Sequence, residues 1–152
     1  MMTVMPRQSI RSGLENQSVV WLSSTRPDGC PHVVPTWFLW DGRSILIFSK
    51  PNAQKVRNLR ADPRVMVAVG DPNLDFDVEL VEAVAEVAAL PTHPAVPDAF
   101  ATKYARIAAR GGLTMERFAD VYQQAIWIRP TRWLGWGGAG WSSDGQGAVV
   151  SP

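Results

Sequence analysis

The stretch Val33-Val34-Pro35-Thr36-Trp37-Phe38-Leu39-Trp40-Asp41-Gly42-Arg43-Ser44-Ile45-Leu46-Ile47-Phe48-Ser49 holds two β-like runs joined at Asp-Gly. β-Branched and aromatic residues fill both runs, and Asp41-Gly42 is a strong short-range hairpin signal because tight hairpin turns need positive φ. The stretch reads as two antiparallel strands, 33–40 and 44–49. A third run, Val19 to Ser24, precedes them and is broken by Pro27-Asp28-Gly29. Together the three make a β-meander.

Beyond the hairpin, Asn52 can cap a short helix with Ala53, Val56 and Leu59 on its buried side, ended by Asp62-Pro63. Val65 to Val69 is a compact strand. Residues 77–89 form a long strand with Glu79, Glu82 and Glu86 interspersed; its alanines and glutamates favour helix, but its valines and its place after a strand favour sheet. Residues 96–110 are helical, with Phe100, Tyr104 and Ile107 at three- and four-residue spacing, and Gly111-Gly112 stops them. Thr114 can cap a second helix in which Phe118, Val121 and Tyr122 share a face. Residues 125–133 make a last strand, where Pro130 marks an edge or a bulge. The tail, about 137–152, is rich in Gly and Ser and is expected to be flexible. About six strands, late helices and no βαβ alternation predict an antiparallel barrel with peripheral helices, not a doubly wound sheet.

The 152 residues suit a single domain. A net charge of +1 gives no whole-chain case for binding nucleic acid or a membrane. Cys30 is the only cysteine, so an intramolecular disulfide and a thiolate metal cluster are both excluded, in keeping with a reducing cytoplasm. Neither a secretory signal nor an apolar run near the roughly 20 residues of a membrane span is present, and the expected location is cytoplasmic. His32 and His93, the two histidines, are too far apart in sequence to suggest a multi-histidine metal site. Nucleophile-elbow, His-Glu-x-x-His and P-loop patterns are absent, so no catalytic residue is assigned. Among the seven tryptophans, Trp21 and Trp37 read as core; Trp133 and Trp136 are candidate walls of a cofactor site or dimer interface.

Charge is unevenly placed. Lys50, Lys55, Arg57 and Arg60 gather within residues 48–60 without an acid, whereas residues 65–91 carry Asp71, Asp75, Asp77, Glu79, Glu82 and Glu86 without a cation. With Asn52 as N-cap, Lys55 falls in the first helical turn, where a cation opposes the helix dipole by a few tenths to about 1 kcal/mol. An anion over that turn would reverse the balance, since free N–H groups and an ammonium together make a phosphate site. By charge alone, a solvated basic face explains the segment at least as well.

Three motifs carry a resemblance: PHVVPTWFLWDG at 31–42, ILIFSKPNAQKVRNLRADPRV at 45–65 and IRPTRWLGW at 128–136. In this order they resemble the pyridoxamine 5′-phosphate oxidase-like superfamily of flavin-binding split β-barrels, most closely its actinobacterial flavin/deazaflavin oxidoreductases that use coenzyme F-420. The resemblance implies a six-stranded antiparallel Greek-key split barrel with peripheral helices. It places an isoalloxazine or deazaflavin ring along the hairpin, against Val34, Pro35, Thr36 and Trp37, with Phe48, Ser49 and Lys50 beside the ring and ribityl chain. It puts the phosphate on Gln54 and Lys55, assisted by Arg57 or Lys50. It also implies a homodimer with cofactor sites at the subunit interface, completed near Trp133 and Trp136.

The chain lacks the Arg/His-rich end of the true pyridoxamine phosphate oxidases, and position 54 is Gln where those that bind FMN tightly have Arg. The resemblance therefore points to hydride transfer from reduced F-420 to an organic acceptor of quinone, enone or tetrapyrrole type. An FMN-dependent oxidase or reductase and a non-catalytic flavin or haem carrier are the alternatives. His32 and Lys50 are further candidates for a chemical role; Lys50 reads equally well as a solvated lysine at a strand end, and His32 reads better as a partly exposed strand histidine beside a turn.

Overall fold

A computed structural model describes residues 13–71, 77–90, 96–136 and 148–149. Eight strands, each antiparallel to its neighbours, form one curled sheet: β1 (Val20–Thr25), β2 (Pro31–Thr36), β3 (Phe38–Trp40), β4 (Ile45–Ser49), β5 (Arg64–Asp71), β6 (Asp77–Val87), β7 (Gln124–Trp136) and β8 (Ala148–Val149). The order across the sheet is β2-β1-β5-β6-β7-β4-β3, with β8 on β7. The two end strands, β2 and β3, are consecutive in the chain. They are joined through Trp37, so a covalent link stands where a closed barrel would have a hydrogen-bonded ladder. This is the split barrel expected, with more strands than the six counted from sequence.

The extra strands have local causes. The run 33–40 is not one strand: β2 pairs with β1 (Val20↔Thr36, Ser24↔His32) and β3 pairs with β4 (Phe38↔Ile47, Trp40↔Ile45). The β-meander is therefore parted at Trp37. The cause is tertiary, because the Phe38 N–H and C=O are both engaged by Tyr104 from a distant helix. Two residues of the tail, Ala148 and Val149, pair with Gly135 and Leu134 as β8; the rest of that tail, with His93, lies outside the described residues.

Turns follow their chemistry. Gly29 and Gly42 take φ of 84° and 94°, and Asp41 Oδ1 accepts from Arg43 N and Ser44 N at 2.8 and 2.7 Å, tying the β3–β4 turn. Pro130 does mark a bulge: the β6–β7 register shifts between Glu82 and Ala83, and the Thr131 hydroxyl donates to the Glu82 carbonyl at 2.9 Å. The acidic run on β6 is met from β7, with Arg129 on Glu86 at 3.0 Å and Arg132 on Glu82 at 3.7 Å.

Besides the helical residues 13–16, three helices among the described residues cover the barrel: α1 (Gln54–Ala61), α2 (Asp98–Arg110) and α3 (Met115–Val121). Thr114 caps α3 as expected, its Oγ1 accepting from Arg117 N at 3.1 Å. Asn52 does not cap α1. A turn closed by Ala53 N on the Lys50 carbonyl moves the start by one residue, so Ala53 is the N-cap and Lys55 the second helical residue. On α2 the buried face is Phe100, Tyr104 and Ala108, with Ile107 36% exposed at its margin.

The interior divides in two. Val20, Leu22, Phe38, Ile45, Ile47, Val67, Val81, Ile126, Ile128 and Trp133 fill the barrel. Leu46 and Phe48 point the other way and join Phe100, Tyr104 and Phe118 beneath α2 and α3. Every residue of β4 is thus buried, as a strand covered on both faces must be. Among the described residues no helix is long and apolar enough to cross a membrane.

Candidate functional site

A cavity of about 250 Å³ opens where the β2–β3 link, β4, the start of α1 and the α2–α3 corner converge, lined by Pro35, Thr36, Trp37, Phe48, Lys55, Leu113, Phe118 and Tyr122. Its walls form one aromatic assembly. Trp37 stacks on Tyr104 at 4.7 Å and 5° and on Phe118 at 5.5 Å, and Phe118 stacks on Tyr122 at 4.6 Å. Planar apolar walls of this kind suit a flat ring system.

Lys55 supplies the charge. Burial pushes its pKa below the ordinary lysine value. Its Nζ donates to the Ser49 hydroxyl at 3.3 Å, and that hydroxyl donates to the Lys50 carbonyl at 3.1 Å. Lys55 is in none of the ion pairs Arg26–Asp28, Arg64–Asp62, Arg129–Glu86 and Arg132–Glu82, and burial is the cause of its lowered pKa, with no carboxylate among the described residues set against it. A partly desolvated ammonium without a counter-charge is suited to take an anion. Lys50 adds a second cation at the rim, its Nζ 5.9 Å from the Tyr122 ring centroid.

Sequence reasoning named twelve residues, and the fold brings five of them to the lining: Pro35, Thr36, Trp37, Phe48 and Lys55. Ser49, fully buried, and exposed Lys50 adjoin it through the contacts above. Val34 turns its side chain to the barrel core. Gln54 and Arg57 bond to each other rather than line the cavity: Arg57 Nη2 donates to Gln54 Oε1 at 2.5 Å, and Arg57 Nη1 donates to the Asn52 carbonyl at 2.7 Å. Trp133 is 1% exposed inside the barrel, edge-on to Trp40 at 6.1 Å, and does not reach the cavity. Strand parity explains this, since Trp133 sits opposite buried Val81. The Trp136 side chain lies outside the described residues.

Two tryptophans read as core also change place. Trp21 is 52% exposed, because Val20, Leu22 and Ser24 take the inward positions of β1. Trp37 is half-buried on the cavity wall. The lining residues that sequence did not single out are Leu113, Phe118 and Tyr122; the apolar face of α3 was legible, but a face packed on a core and a face lining a cavity have the same periodicity.

The fold and this cavity define a split β-barrel with an aromatic-walled pocket that a half-buried lysine lines. Residues 6–137 match the pyridoxamine 5′-phosphate oxidase family, and the chain belongs to it. Among solved structures, an F-420 reductase is 30% identical, with 81% of this chain and 94% of that one covered and a TM-score of 0.61. A conserved hypothetical protein of Mycobacterium tuberculosis is 24% identical, with coverage of 89% and 86% and a TM-score of 0.63. The haem storage protein HutZ of Vibrio cholerae shares the fold at 14% identity, with coverage of 87% and 95% and a TM-score of 0.60. No curated protein matches the sequence.

Proposed function

We propose that this protein is an oxidoreductase that transfers a hydride from reduced coenzyme F-420 to an organic acceptor of quinone, enone or tetrapyrrole type. The observation that carries the reading is Lys55: a half-buried amine without a carboxylate, on a cavity walled by Trp37, Phe48, Phe118 and Tyr122. The resemblance to an F-420 reductase supports the choice of cofactor.

The residues present fit such a group. The aromatic walls take a tricyclic ring and keep water from it, while Lys55 holds the phosphate, its amine steered by the Ser49 hydroxyl. When bound, the coenzyme supplies the hydride. The polar side chains of the lining are Thr36, Lys55 and Tyr122, so this chain's contribution is orientation, charge and exclusion of solvent.

The cavity of one chain, at about 250 Å³, is smaller than the roughly 300–1,000 Å³ usual for small-molecule sites. A second copy completing it is part of the proposal. Cross-strand pairing aligns Pro35, Trp21, Ala68, Leu80 and Leu134 in one row over the outer sheet face, and each is at least partly exposed. Pro35 belongs both to this row and to the cavity lining, so a homodimer seated on the row would meet the pocket's rim.

Absorption of the purified protein, followed by titration with F-420, FMN and haem, tests the reading. The expected result is F-420 binding and oxidation of its reduced form by a quinone or enone. Co-purified FMN would replace the deazaflavin with a flavin, a haem Soret band would favour a carrier, and binding without turnover across the acceptors would remove the enzyme claim.

A further inference from the structure

Between β1, β2 and α1 runs a line of side-chain hydrogen bonds that the cavity does not use. Arg57 Nη2 donates to Gln54 Oε1, Gln54 Nε2 donates to Asn58 Oδ1 at 2.8 Å, and Asn58 Nδ2 donates to Ser24 Oγ at 2.9 Å. Asn58 is 0% and Ser24 4% exposed, so bulk solvent does not reach them and their partners lie within the protein or on a buried water. All three bonds point the same way. The direction is set at one end by chemistry, because a guanidinium has donors and no acceptor. Gln54 must therefore turn its oxygen to Arg57 and its amide nitrogen to Asn58, and Asn58 must in turn donate to Ser24.

Ser24 then still holds a hydroxyl proton, which makes no hydrogen bond among the described residues. Directly across the ladder is His32, the register partner of Ser24. Its Nδ1 is buried and has no hydrogen-bond partner. Opposed residues of an antiparallel pair share a face, with Cβ atoms about 4.5–5.5 Å apart. A donor lacking an acceptor thus faces an acceptor lacking a donor.

We propose that His32 is a positioning residue for the anion-binding turn of α1: carrying its proton on Nε2, it accepts the Ser24 hydroxyl at Nδ1, through one water or a small turn of the ring, and so terminates the chain from Arg57. With the proton on Nδ1 instead, Ser24 Oγ would accept from both Nδ1 and Asn58 Nδ2, and its own proton would be left without an acceptor. Relief by reversing Ser24, Asn58 and Gln54 would set the Gln54 amide nitrogen against the Arg57 guanidinium. The Nε2–H tautomer is the one state that satisfies every member, and it fixes the first turn of α1, from which Lys55 reaches the cavity, for an anion. That last consequence rests on the function proposed above; the contact of His32 with Ser24 does not.

Nitrogen NMR of the imidazole rings at neutral pH tests the contact, with the His32 signals assigned by their loss in His32→Gln. The expected result is a proton on Nε2, a hydrogen-bonded acceptor at Nδ1, and movement of the Nδ1 signal in Ser24→Ala. A protonated Nδ1, or ring signals unmoved by Ser24→Ala, overturns the proposal. In parallel, His32→Leu is expected to weaken F-420 binding by about three- to tenfold, and His32→Gln, which keeps an acceptor, to recover most of it; equal losses in the two variants also overturn it. Should the wild-type protein bind no F-420, the function proposed above fails while the NMR result still decides the contact.

Discussion

The Tyr104 hydroxyl lies 2.7 Å from both the N and the O of Phe38, 66 residues away in sequence. It accepts the Phe38 N–H and gives its single proton to the Phe38 carbonyl, with the Ser18 carbonyl at 3.0 Å as the alternative acceptor. Lys103, the preceding residue of α2, donates to the same Phe38 carbonyl at 3.1 Å. A side chain thus replaces the ladder partners that a continuous strand 33–40 would have used, and the barrel splits there. The Tyr104 ring meanwhile backs Trp37, placing the cavity wall.

Replacement of Tyr104 by Phe is expected to destabilise the fold by about 1–3 kcal/mol, because the Phe38 N–H loses its acceptor in a buried setting. Burial pushes the phenol up to about 12, so the effect belongs to the neutral hydroxyl at physiological pH. Denaturant unfolding measures it. A change below about 0.5 kcal/mol, the range of an ordinary surface substitution, would show that Phe38 finds another partner.

Lys55→Ala is expected to weaken F-420 binding by roughly ten- to a hundredfold, the size of one charge-assisted contact of about 1.5–3 kcal/mol. Calorimetric titration reads it directly, and Lys50→Ala, at the exposed rim, should cost less. Retained affinity in Lys55→Ala would remove the phosphate site from α1.

Lys103 gives a pH signature. Its Nζ lies 3.7 Å from the Phe38 ring centroid, and burial lowers its pKa from 10.5 to about 8. Between these values the unfolded chain holds a proton that the folded chain has lost, so stability contributed by this group rises with pH from about 8 towards 10.5. Below that window both states are charged and the contribution is level. Lys103→Met should remove the rise; parallel stability profiles of wild type and variant would sink the assignment.

With the homodimer proposed above, Trp21→Lys is expected to shift the protein from dimer to monomer in sedimentation, since it puts a charge within the apolar row Pro35-Trp21-Ala68-Leu80-Leu134. Cofactor affinity should fall with it, although Trp21 does not line the cavity. An unchanged association state would place the interface elsewhere.

Local chemistry was legible from the chain alone. Residues 77–87 showed strand character through their valines, Pro130 announced an edge or a bulge, and Gly111-Gly112 and Thr114 bounded the α2–α3 corner. These signals act within a few residues, and the sequence motifs were enough to suggest the family. Tertiary packing decided the rest. It parted the run 33–40 at Trp37, because only α2 could bring Tyr104 and Lys103 to Phe38. It moved the start of α1 past Asn52, put Trp133 inside the barrel and Trp21 outside, and turned Phe118 and Tyr122 into cavity walls. Inward and outward positions of a strand, or core-facing and cavity-facing positions of a helix, share one period; which one a side chain takes depends on the elements that pack against it.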